Sequence, residues 1–112
     1  MWRVEKVNSL IKKELGKIIL KEIDLPPEIL LTITRVEASS NLFQAKVFVS
    51  VMPEEKTEEI FKILNQKIFS LQQRLNKKLK MRPVPKISFV KEKRTAEAGR
   101  VEELLRKIKK EK

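Results

Sequence analysis

The chain has 112 residues, of which 41% are hydrophobic and 37% charged, and it carries a formal net charge of +11. That is apolar material for one small core, not two, so residues 1–112 read as a single domain. With no Cys and no His, the chain lacks a disulfide framework, thiol chemistry, the usual general base and the usual zinc ligand.

The N-terminal "MWRVEKVNSL" interrupts any apolar run with charge, so it does not read as a signal peptide. Val4, Val7, Leu10, Ile11, Leu15, Ile18 and Ile19 then recur at three- and four-residue spacing, which predicts an amphipathic helix. Lys12, Lys13, Lys17 and Lys21 fall largely off that stripe. Glu5, Glu14 and Glu22 mix with them, which argues for ordinary core packing over a membrane-surface helix. "DLPPE" at 24–28 ends the helix, because proline removes a backbone donor and disfavours helix in the residue before it.

Two strands follow. In "LLTITRVEAS" Leu31 and Ile33 share one face, and Val36 and Ala38 take the other parity, which predicts a bulge near Thr34. "SSNLF" supplies turn residues. "AKVFVSV" alternates, with Ala45, Val47, Val49 and Val51 on one side and Lys46, Phe48 and Ser50 on the other. The two strands read as a hairpin.

Residues 52–82 form the longest helical stretch. Pro53 and the acids Glu54, Glu55, Glu58 and Glu59 suit its start, and the basic residues toward Arg82 suit its end. Ile60, Leu64, Ile68, Leu71, Leu75 and Leu79 keep one stripe. Phe69 points roughly opposite, at about 100° per residue. A bend between Asn65 and Ser70 would let both halves bury their apolar residues. "PVP" ends the helix, "KISFV" reads as a third strand, and Val101, Leu104, Leu105 and Ile108 mark a last helix. The order is helix, strand, strand, bent helix, strand, helix: an α+β domain whose helices cover one face of a three-stranded sheet.

Between Ile60 and Lys91 there is no Asp or Glu, yet Lys62, Lys67, Arg74, Lys77, Lys78, Lys80, Arg82, Lys86 and Lys91 all lie there. A solvated helix face usually intersperses acids with bases, as residues 54–59 do. A run of one sign repels itself, and an RNA phosphate surface is the stronger reading. We take Lys67, Arg74, Lys77, Lys78, Lys80, Arg82 and Lys86 as the candidate RNA-binding residues. The cluster at 74–82 is expected to outweigh Lys12, Lys13, Lys17 and Lys21 of the first helix, whose face is shared with Glu14 and Glu22. Phe43, Phe48, Phe61, Phe69 and Phe89 mostly sit at positions suited to a core, which favours shape and phosphate recognition over base stacking.

An enzyme would need Lys or paired carboxylates here. The four early Glu are better explained by the helix dipole, and Gly16 and Gly99 alone cannot form a phosphate-cradling loop. No cofactor, metal, membrane or small-molecule substrate is expected. No stretch approaches the roughly 18 apolar residues of a membrane span, and the expected setting is cytoplasmic. A Lys/Glu/Ile-rich chain without Cys also fits a heat-loving source.

Four stretches, "RVEKVNSLIKKELGKII", "LTITRVEASSNLFQAKVFVSV", "KKLKMRPVPKISFV" and "AGRVEELLRKI", run from Arg3 to Ile108 and resemble the ribosome-binding factor A family of bacterial ribosome assembly factors. The resemblance rests on the colinear set and not on a single signature. It implies a type II KH-like fold, binding to the 30S subunit and its 16S rRNA, assistance in late 30S maturation and 16S pre-rRNA processing, and no catalysis. A monomer is expected. The family's helix–kink–helix carries Ala-x-Gly, whereas the matching place here is Lys67–Ile68–Phe69. Gly99 also directly precedes Arg100, where the family commonly has a residue between. The other reading from charge alone is a general basic module for single-stranded RNA or DNA, not tied to the ribosome.

Overall fold

Helix α1 runs over Val4–Glu22, in a computed structural model that describes residues 3–92. Val7, Ile11, Leu15, Ile18 and Ile19 are its buried residues, the stripe that periodicity predicts. The Ile23 N–H bonds to the Ile19 carbonyl as the chain leaves the helix. Strands β1 (Leu30–Ala38) and β2 (Gln44–Met52) pair antiparallel. Their register shifts between Ile33 and Arg35, so the bulge expected at Thr34 is present. It switches the inward parity from Ile33 to Val36 and keeps both buried. The turn closes through Leu42, whose φ of 62° is left-handed and unfavourable for a branched side chain. The Asn41 carboxamide oxygen accepts the Phe43 N–H at 3.0 Å, and the Leu42 N–H reaches the Ser39 carbonyl.

A 3-10 turn over Glu54–Lys56 leads into α2 (Thr57–Gln66), and α3 (Ile68–Lys78) follows at once. The predicted bend is one residue, Lys67, whose φ/ψ of −105/8 lies outside the helical range. Its N–H is shared between the Ile63 and Leu64 carbonyls, both at 3.2 Å. Ile60, Leu64, Leu71 and Leu75 are fully buried on either side of it. The bend does not bury Phe69, which remains 74% exposed. Phe69 lies about 200° around α3 from Leu71, so facing Leu71 and Leu75 inward turns Phe69 to solvent.

Strand β3 (Lys86–Lys91) runs parallel to β2, giving the sheet order β1-β2-β3. A parallel partner needs a crossover, and the α2–α3 pair supplies it. The helices cover one face of the sheet: α1 lies over β1 and packs on α3, while α2 lies over β2 and β3. Ala45, Val47, Val49, Val51 and Ile87 are buried beneath them. At the other face Arg35 sits over the Phe48 ring, 3.8 Å from its centroid. The Arg35 Nε donates to the buried Glu92 carboxylate at 2.9 Å, which also accepts the Thr34 hydroxyl at 2.7 Å. Arg35 pairs with Glu37 as well. The last helix expected from Val101, Leu104, Leu105 and Ile108 lies outside the described residues.

Candidate nucleic-acid interface

The acid-free segment maps onto α2, α3, the 79–85 loop and β3. Lys67, Arg74, Lys77, Lys78, Lys80, Arg82 and Lys86 are all exposed. They are exposed because Leu71, Leu75, Leu79, Met81 and Pro85 take the inward positions between them. Alternating inward apolar and outward basic positions turn the helix end and loop into a charged rim on the core.

The seven residues do not form one cluster. Lys67 sits at the bend, and α3 separates it from Lys77 and Lys78 by ten residues, about 15 Å of helix. Lys77 and Lys78 occupy the last turn of α3, where cations also complement the helix dipole. Lys80, Arg82 and Lys86 follow along the loop and the first residue of β3.

Two members are already engaged. The Arg74 Nε is 3.0 Å from the Glu22 carboxylate, tying α3 to the end of α1. The Arg82 Nη1 donates to the Leu79 carbonyl at 2.9 Å and the Met81 carbonyl at 2.6 Å. Those carbonyls follow the end of α3, so Arg82 helps hold the chain as it leaves the helix. Lys67, Lys77, Lys78, Lys80 and Lys86 take part in no ion pair among the described residues.

The rim is held by Gln72. Its side-chain oxygen accepts the Ile87 N–H at 2.9 Å, and its nitrogen donates to the Pro85 carbonyl at 3.0 Å and to Asn76 at 3.0 Å. One side chain thus fixes the start of β3 to α3. The Lys86 N–H bonds to the Phe43 carbonyl at 2.9 Å, which brings the β1–β2 turn alongside.

The core assignment of the aromatics holds for Phe61 and Phe89, which pack partly buried against the core, and fails for Phe43 and Phe69. No Phe is among the buried core residues, and Phe43 and Phe69 are 61% and 74% exposed. Phe69 lies two residues from Lys67, and Phe43 abuts Lys86 through the backbone. An exposed ring therefore lies beside Lys86, and a second one follows the bend at Lys67. The phase of Phe69 signalled this; for Phe43 the signal was its place in the "SSNLF" turn, beyond the alternation of either strand.

None of the described helices is long and apolar enough to cross a membrane. No group of three or more His, Cys, Asp or Glu among the described residues could hold a metal ion.

Residues 3–105 match the family model for ribosome-binding factor A. The ribosome-binding factor A of Chlamydia felis is 37% identical over 95% of this chain and 91% of its own length. That of Pseudomonas fluorescens is 36% identical over 78% of this chain and 68% of its own. The crystal structure of ribosome-binding factor A from Thermus thermophilus superposes with a TM-score of 0.69 at 24% identity, covering 80% of this chain and 97% of that one. A Thermus thermophilus model fitted into the cryo-EM map of a 30S–ribosome-binding factor A complex superposes at 0.64, with 22% identity over 80% and 93% of the two chains. These likenesses bear out the α+β, KH-like arrangement of helices on a three-stranded sheet.

Proposed function

This chain belongs to the ribosome-binding factor A family, and from that premise we propose that it binds the small ribosomal subunit through the rim formed by Lys77, Lys78, Lys80 and Lys86. The partner surface is 16S rRNA, and the role is assistance in late 30S maturation and 16S pre-rRNA processing, without catalysis, by a cytoplasmic monomer. The observation that carries the reading is the acid-free segment 60–91, whose lysines project from a rigid rim instead of being paired internally. Lysine ammonium groups are point charges that suit phosphate oxygens, and released counterions drive the association. The Thermus thermophilus relative fitted into a 30S complex supports the choice of partner.

Exposed Phe43 and Phe69 support a second reading, in which a single strand stacks its bases on these rings. One experiment separates the two. Co-sedimentation with purified 30S subunits, with 70S ribosomes and with a single-stranded oligonucleotide is measured from low to physiological salt. Binding to 30S in preference to both, with log K falling by about 3 to 4 per decade of salt for four phosphate contacts, is expected. A slope near zero overturns the phosphate surface. Equal affinity for the oligonucleotide overturns the ribosomal assignment.

A further inference from the structure

On the far side of α1 from the basic rim lies a groove with a different character. It runs between α1 and β1, which is an edge strand of the sheet. Its volume is about 680 Å³. Four consecutive residues of β1, from Leu30 to Ile33, line it, so the wall includes the strand's backbone edge and not one face alone. Leu20 and Leu30 stand open at it, 83% and 63% exposed. Ile23 and the Pro26–Pro27 pair extend the apolar lining.

The groove is deepened at Gly16. A glycine inside a helix costs about 0.5–1 kcal/mol relative to alanine. No close packing offsets that cost: a Cβ placed there would meet nothing within 4 Å. What the glycine leaves is open space in the groove wall, which Leu20 also lines.

The charge at the rim identifies the visitor. Lys12, Lys13 and Lys17 line the groove, and Asp24 is the only acid among the lining residues. None of the three lysines is in an ion pair among the described residues. An apolar trough edged by unpaired ammonium groups fits a polypeptide carrying apolar side chains with carboxylates beside them. RNA fits less well, because no aromatic ring lines the groove to receive a base. A second copy of a chain with net charge +11 would bring like charge to this rim, as would residues 93–112, in which Lys and Arg outnumber Glu.

We propose that the groove between α1 and the edge of β1 docks an extended, acidic and apolar segment of a protein on the small ribosomal subunit, while the opposite rim holds the RNA. This rests on the small-subunit reading above. Apolar side chains enter beside Leu20 and Gly16, and Lys12, Lys13 and Lys17 meet the carboxylates.

The test uses the unmodified chain bound to purified 30S subunits and treated with a water-soluble carbodiimide. That reagent activates a carboxylate, and a lysine amine in contact with it displaces the activated group to form an amide, the reagent leaving as its urea. Mass spectrometry is expected to find Lys12, Lys13 or Lys17 joined to an Asp or Glu of a subunit protein. Gly16→Trp fills the groove from an open position, and it is expected to lower the yield of those links at least fivefold while co-sedimentation persists. A photoreactive benzophenone side chain in place of Leu20 is expected to label the same protein segment. Labelling of rRNA, of a second copy, or of residues 93–112 overturns the proposal. So does the absence of lysine links while 30S binding persists, or links that survive Gly16→Trp unchanged. Failure of the unmodified chain to co-sediment overturns the ribosomal reading itself, and the proposal with it.

Discussion

The lysines of α1 and those at the end of α3 carry the same charge and are both exposed, yet their surroundings differ. Lys77, Lys78, Lys80 and Lys86 project from a polar rim with no acid between Ile60 and Lys91 and with the exposed Phe43 beside Lys86. Lys12, Lys13 and Lys17 edge an apolar groove open at Leu20, Leu30 and Gly16. Between the two regions, Arg74 and Glu22 join α3 to α1 and neutralise one another. A lysine's contribution to recognition is thus set by what lies beside it: other cations concentrate phosphate, and apolar walls select a chain that carries both carboxylate and hydrocarbon.

The largest expected effect separates the regions outright. Lys77→Glu/Lys78→Glu/Lys80→Glu is expected to weaken 30S binding by roughly 100-fold and to reduce the salt slope by about 3, near one for each phosphate no longer neutralised. Lys12→Glu/Lys13→Glu/Lys17→Glu is expected to leave that slope unchanged. Circular dichroism should find both variants folded, since exposed charges contribute under about 1 kcal/mol. If the α1 triple loses RNA binding and the α3 triple keeps it, the RNA surface is on the other side of the domain.

A smaller effect asks whether the rim must be rigid. Gln72→Ala removes the acceptor of the Ile87 N–H and the donor to the Pro85 carbonyl. Urea unfolding should show a loss of about 1–3 kcal/mol, the cost of leaving a buried polar group unpaired. The affinity for 30S should fall with it, because Lys80 and Lys86 are carried on the segment that Gln72 anchors. A loss of stability with unaltered affinity would mean that the lysines act as loose charges.

The smallest effect sharpens the other side. Gly16→Ala is expected to raise stability by about 0.5–1 kcal/mol, readable in the urea midpoint, because the methyl meets nothing within 4 Å and the helix gains propensity. A destabilisation would show that the groove wall is closer packed than the open space beside Gly16 indicates.

Much of the fold was legible in the chain's own periodicity. The stripe of α1, the switch of parity at Thr34 and the alternation of β2 each reappear in burial and register. The bend was legible too, because a helix cannot turn both Phe69 and Leu71 inward. The fate of Phe69 was misjudged, since the bend could have rotated either side of α3 toward the sheet and the leucines outnumber the single ring. For the interface, the charge count located the segment but not the division of labour within it. Arg74 and Arg82 look like their neighbours in sequence, and one is spent on Glu22 and the other on the carbonyls that follow α3.

The order of elements, the position of the bend, the strand bulge, the concentration of positive charge and the membership of the family follow from the sequence itself. They are properties of periodicity and composition, which act within one element and need no knowledge of its neighbours. The parallel placement of β3 beside β2, the clamp from Gln72 to Ile87, the pairing of Arg74 with Glu22 and the groove between α1 and β1 were decided by the tertiary structure alone. Each joins residues that are distant in the chain, and a side chain's pattern along its own element does not say which distant group the packing of the core will bring against it.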